Sequence, residues 1–417
     1  MKRLAHLAAA TLLLVLGVAA RAQPLCTLSD LQSAAQRVSL EQRTLLSFRV
    51  EVLGDRVTPQ TAAQIAAFKS ALAAAVYDWM VCRAPSHETA PALQHQLAFW
   101  LGANQPGKPM AGIYPADENT IAGIYGADLH IAVDQLNSSP EFLGIVAGFN
   151  ISCGDDHLLM LYERKDHRWQ RVLLWQGGRY QEISGAFGDF FEYLLLPPSV
   201  AGGWDVAAAH GTPWCTSRFS GFRIDLLRIS QHGQPSRLLF QKAGGYSRGD
   251  IRPVLSPAPG GFQLSIATNS LDSRQFVKTS IFRYRIHDGH VHRVQPVATT
   301  PVGFVDSWLQ ASWTAASQWS ATRGLASLHR LHTAFATPSH ANSDFYSQFT
   351  YRAVRGCSAP SQVQVQLEET FARQEKITSS AQLYFLLEKH EDHFLLLSAS
   401  SHPNPSCTGP NLLHLTQ

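Results

Sequence analysis

The chain has 417 residues, of which 45% are hydrophobic, and carries 34 Lys and Arg against 31 Asp and Glu. Lys2, Arg3 and Arg21 all fall within the first 22 positions; without them the charges balance at 31 against 31. A balanced chain with no Lys/Arg run lacks the long-range field that gathers nucleic acid or an anionic membrane surface, which excludes those partners.

Residues 1–22 read as a signal peptide. Lys2 and Arg3 are followed by an apolar run over residues 7–20, and Ala20-Arg21-Ala22 is an A-x-A cleavage site ahead of Gln23. The run is shorter than the roughly 20 residues of a comfortable membrane span; an uncleaved anchor is the rival reading. Leu25 is too large to precede a lipidated Cys26, so a lipoprotein is rejected. No later stretch reads as a membrane span, so the mature product is expected to be an exported, soluble, periplasmic or extracellular protein.

Six cysteines in an oxidising compartment predict three disulfides. Their spacing groups them as Cys26–Cys82, Cys153–Cys215 and Cys357–Cys407. No CxxC is present, which argues against a redox dithiol or a zinc knuckle.

The 395 residues after the signal exceed the size at which one core stops growing, about 250–300 residues. Residues 23–109 are expected to be helical. Thr58-Pro59 is an N-cap followed by proline at the first helical position. Ile65, Phe68, Leu72, Val76 and Trp79 then recur in steps of three and four and form one apolar stripe ending near Cys82. A second helix is predicted over residues 92–101, and the polar Gly/Pro break at 102–109 is the expected boundary.

Residues 110–417 read as mainly β. After an alternating strand at 129–133 come four alike hairpins: LLMLYERKDHRWQRVLLW, FRIDLLRISQHGQPSRLLF, IFRYRIHDGHVHRVQPV and LYFLLEKHEDHFLLLSA. Each is an apolar strand, a polar tip and a second apolar strand, and Asp288-Gly289 is a strong two-residue turn. The spacing of the first three, roughly 60 residues, fits one four-stranded sheet per unit, an arrangement a β-propeller would satisfy. The alternatives are a β-sandwich or an α+β fold. Residues 308–332, with Trp308, Trp313 and Trp319, interrupt the strands and suggest a short helix or ordered loop.

Chemistry-bearing residues are few. Asp155 and Asp156 could serve as general acid and base or hold a cation, although neighbours on a strand point to opposite faces. His210 leads into Gly211-Thr212-Pro213-Trp214-Cys215, the most site-like segment in the chain. His287, His290 and His292 surround the Asp288-Gly289 turn and could share a metal; a solvated hairpin tip is the plainer reading. There is no nucleophile elbow, Walker loop, dinucleotide fingerprint or HExxH, and no cofactor is called for. Two functions are expected. The first is a non-enzymatic binding or assembly module for a glycan or envelope protein, with Trp204, Trp214 and Tyr246 as exposed contacts. The second is an exported hydrolase of glycans or esters using Asp155, Asp156 and His210.

Overall fold

The computed structural model describes residues 26–48, 57–84, 88–103, 125–138, 141–151, 154–177, 190–198, 203–212, 219–230, 235–247, 251–336, 345–373 and 376–413. Three helices come first: α1 (Leu28–Leu46), α2 (Pro59–Cys82) and α3 (Ala90–Leu101). Each start has a local cause. Thr27 and Asp30 form a reciprocal capping box on α1, and the Thr58 hydroxyl accepts from the Thr61 N–H ahead of Pro59 on α2. Gly102, left-handed at φ 66°, closes α3. All five residues of the expected α2 stripe are buried. The Cys26–Cys82 disulfide ties the start of α1 to the end of α2.

Sixteen strands follow as four antiparallel four-stranded sheets, each in chain order. They are β1 (His130–Ser138), β2 (Glu141–Ile151), β3 (Gly154–Lys165) and β4 (Arg168–Gln176); then β5 (Phe191–Leu196), β6 (Asp205–Thr212), β7 (Phe219–Arg228) and β8 (Arg237–Ser247). The third sheet is β9 (Val254–Ala258), β10 (Gly261–Asn269), β11 (Val277–His287) and β12 (His290–Val294), and the fourth is β13 (Phe345–Gly356), β14 (Gln362–Arg373), β15 (Lys376–Lys389) and β16 (Phe394–Ser400). The four hairpins legible in the sequence are the last two strands of each sheet. Two of their turns have both central residues left-handed, Asp166-His167 and Asp288-Gly289, which matches the twist of the strands they join.

The sheets are buried by alternation. On β3, Leu158, Met160 and Tyr162 share a core with the helices, while Leu159 and Leu161 share one with the second sheet. On β6, Val206 and Ala208 face the first sheet, and Ala207 and Ala209 belong to the core with the third. The fourth sheet packs on α4 (Pro301–Gln310), α5 (Trp313–Gln318) and α6 (Leu325–Ala336), so the Trp-rich interruption is helical. Asp306 of α4, fully buried, accepts from Lys278 Nζ (2.6 Å), Ser270 Oγ and the Leu271 N–H, and so fastens these helices to the third sheet. Among the described residues no apolar core joins the fourth sheet to the first. The sheets form an open row rather than a closed propeller, because helices cover the outer face of the first sheet and a helical insertion backs the fourth.

One expectation needs correction. The 24-residue α2 is long and apolar enough to cross a membrane, with a mean hydropathy of 1.4. Its burial against α1 and the first sheet, and a buried lysine at its middle, mark it as a core helix. Cys357–Cys407 is the second observed disulfide; Cys153 and Cys215 lie outside the described residues.

Candidate functional site

Asp155, Asp156 and His157 open β3. Asp156 is the register partner of Phe149, whose ring contacts Phe68 of α2 at 4.9 Å, so Asp156 is on the helix side. Lys69 Nζ donates to Asp156 Oδ2 at 2.8 Å, and both side chains are 2% exposed. The His157 N–H donates to Asp156 Oδ1, also at 2.8 Å. Both carboxylate oxygens are therefore engaged. Asp155 is buried as well, and as neighbours on one strand the two acids do not face each other.

The opposite face of the first sheet carries His130, Gly148 and His157 side by side across β1, β2 and β3. Gly148 is required there, because a Cβ would lie 2.3 Å from the His130 ring and 3.0 Å from that of His157. The two imidazoles meet over it with centroids 6.0 Å apart. His157 stacks on Phe191 of β5 at 5.0 Å, and Phe191 pairs in register with His210 of β6. Trp175 covers both Phe191 (5.1 Å) and His210 (5.2 Å) and donates its indole N–H to Asp225 Oδ2 at 2.9 Å. Gln241 occupies Asp225 Oδ1 at 2.8 Å. His210 Nδ1 lies 3.1 Å from the Gly211 carbonyl, and its Nε2 is buried with no partner.

Burial sets the electrostatics of this seam. It lowers the pKa of His130 and His210 and holds His157 well below its usual value, where the neighbouring His130, His210 and Lys69 add to the effect. For His210, Asp225 and Asp156 pull the other way. Asp156, on the other face of the sheet, is still within electrostatic reach of His210. Both are closed off: the acid is neutralised by a lysine, the histidine lies under a tryptophan, and among the described residues no serine, threonine or cysteine is seen bonded to either. Among the described residues no group of three His, Cys, Asp or Glu is spaced to hold a metal.

The remaining sequence candidates lie elsewhere. His287 and His290 face each other in register at the exposed β11–β12 tip, where His287 meets Asp288 at 3.2 Å and His292 stands 6.3 Å from His290. Tyr246, expected to be an exposed contact, is 2% exposed and packs edge-on against Phe190; a strand residue next to a glycine pair became core. Trp204 is half-buried against Phe142 at 5.0 Å, in the core between the first two sheets. Trp214 lies outside the described residues.

Among the described residues, an open concavity lies elsewhere again, at the Cys26–Cys82 staple. A cavity of about 530 Å³ is lined by Asp30 and Leu31 of α1, by Tyr77, Asp78 and Val81 of α2, and by Arg168, Trp169, Gln170 and Arg171 of β4. Arg171 lies over the Tyr77 ring at 4.9 Å and donates to the Ala73 carbonyl at 3.1 Å. Thr27 donates from its hydroxyl and its amide to Asp30 Oδ2 and holds that carboxyl below its ordinary pKa. Sequence reasoning missed this site. The Cys26–Cys82 pairing and the turn leading into β4 were both legible, but nothing in their spacing places one beside the other.

No family model matches the chain, and no curated protein matches it either. Among solved structures, an α-L-arabinofuranosidase from Fusarium graminearum, in complex with an iminosugar inhibitor, aligns over 68% of each chain at 10% identity with a TM-score of 0.27. An NTF2-like protein involved in plasmid conjugation aligns over 56% of this chain and 84% of its own at 8% identity with a TM-score of 0.16. At such scores neither likeness bears on fold or function.

Proposed function

We propose that the protein is an exported, non-enzymatic binding or assembly module for a glycan or an envelope protein. Two disulfides are consistent with an oxidising compartment, and the N-terminal signal pattern supports export. The observation that carries the reading is the closure of the acids and the histidine a hydrolase would need. Asp156 is locked to Lys69 with both 2% exposed, and His210 is buried under Trp175. A general acid or base must reach the proton it transfers. Of the two acids lining the cavity, Asp30 and Asp78, Asp30 has its pKa lowered, opposite to the raised value that suits a general acid at neutral pH.

The test is a thermal-shift screen of the chain from residue 23, made with its disulfides, against polysaccharides and envelope fractions, with product analysis in parallel. A ligand that raises the melting temperature and emerges unaltered supports the proposal. Turnover that collapses in Asp156→Asn or His210→Ala while the fold persists would establish the hydrolase instead.

A further inference from the structure

We infer that the cavity at the Cys26–Cys82 staple is the ligand site, and that it takes a neutral, polyhydroxylated sugar chain between the carboxylates of α1 and α2 and the guanidinium and amide groups of β4. This inference rests on the binding-module reading and names its site and ligand.

Four features of the cavity lead there. Its volume, about 530 Å³, falls in the range of small-ligand sites, roughly 300–1,000 Å³. Its polar groups divide by element: the helices supply acceptors, Asp30 and Asp78, and the strand supplies donors from Arg168, Gln170 and Arg171. Two carboxylates against two guanidiniums leave no net charge to attract an ion. A group held between them must accept from one side and donate to the other, as a hydroxyl does.

The remaining features concern unspent bonding capacity and rigidity. Both bonds from Thr27 fall on Asp30 Oδ2, so Oδ1 retains its lone pairs. Trp169, 5% exposed, adds a fixed apolar wall between Arg168 and Gln170. Arg171 is fixed in advance by the Tyr77 ring and the Ala73 carbonyl, which lowers the ordering cost of binding. Tyr77, 40% exposed, presents an aromatic rim. The disulfide holds α1 against α2 and keeps the helical side of the cavity in place.

A peptide is the competing occupant, and it would add to the free edge of β4. That edge is already bonded at Val172, whose carbonyl accepts from the Ser230 N–H at 2.8 Å. On the cavity side of that bond the edge offers only residues 168–171, too short a run for strand addition beside the cavity.

The experiment is calorimetric titration of the disulfide-bonded chain with hexa-N-acetylchitohexaose, cellohexaose and xylohexaose, with tri-alanine as the peptide probe. Arg168→Ala and Asp78→Asn are compared with the parent, with melting temperatures as the folding control. The expected result is binding of at least one hexasaccharide, weakened about tenfold or more by each substitution at unchanged melting temperature. Unchanged affinity in both variants would overturn this site while leaving the binding-module reading standing. Binding of tri-alanine and of no sugar would overturn the ligand class. Failure of every probe, with an envelope protein raising the melting temperature, would overturn the inference and leave the module reading intact. Cleavage of a hexasaccharide would overturn both.

Discussion

Replacing Lys69 with methionine removes one half of an ion pair sealed between α2 and the first sheet. The charges lie 2.8 Å apart with both side chains 2% exposed. At an effective dielectric of about 20, their attraction is about 6 kcal/mol. Methionine fills similar volume on the helix, so the cavity term is small and the cost comes from Asp156 left charged among Phe68, Phe149 and their neighbours. Removing one partner of such a pair destabilises by about 3–5 kcal/mol. That is a large part of a typical folding stability of about 5–15 kcal/mol. The double variant Lys69→Met with Asp156→Asn removes both charges and keeps a carbonyl oxygen for the His157 N–H. It should recover most of the loss. The assay is guanidinium denaturation of the four proteins of this cycle, followed by tryptophan fluorescence. If Lys69→Met costs under about 1 kcal/mol, the pair behaves as an exposed one and its burial is refuted.

Three further outcomes are expected. Because burial lowers the folded-state pKa of His130, His157 and His210 below the reference of 6.5, the unfolded chain binds more protons as acid is added. Stability should hold above that value and fall between about pH 7 and 5, and His157→Gln should flatten the slope of melting temperature against pH; a slope of the opposite sign would show the imidazoles gaining protons on folding. Gly148→Ala sets a methyl 2.3 Å from the His130 ring and should cost about 1–3 kcal/mol in denaturant titration, whereas a neutral effect would mean His130 does not lie over that glycine. Cys26→Ser with Cys82→Ser opens a loop of 56 residues, worth up to about 4 kcal/mol in the chain-entropy estimate, and should also expose α1 to limited proteolysis; an unchanged melting temperature and digestion pattern would remove the disulfide's role in holding the cavity.

Much of the fold was legible because it is written in local periodicity. The three-and-four stripe from Ile65 to Trp79, behind Thr58-Pro59, specifies one helix face, and that face is buried. The hairpins ending each sheet were legible from apolar strands broken by short polar tips, with Asp288-Gly289 supplying the left-handed turn. Apart from the alternating strand at 129–133, the first strand pairs of the sheets were harder to read. Segments such as Glu141–Ile151 are buried on both faces and carry no alternation, and Asp205–Thr212 is rich in alanine. The apolar character of α2 was likewise underread, because a helix buried in a core has the same composition as one that crosses a membrane.

The site was less legible, for a physical reason. Asp156 and His210 stand out as isolated residues, but their roles depend on partners 87 and 15 residues away, Lys69 and Asp225, and sequence spacing does not reveal such contacts. Tyr246 looked like an exposed contact beside a glycine pair and is core, because whether an aromatic on a strand faces water depends on the sheet stacked against it. The cavity combines the end of a helix, a disulfide and the start of an edge strand about 90 residues further on. By itself the sequence determined which segments are helices and which pair as hairpins, since those follow from the order of neighbours along the chain. Only the tertiary structure decided that the sheets form an open row, that the conspicuous acid is a buried ion pair, and that a concave surface lies beside the first disulfide. Those outcomes depend on which faces meet, and that is set by burial across the whole chain.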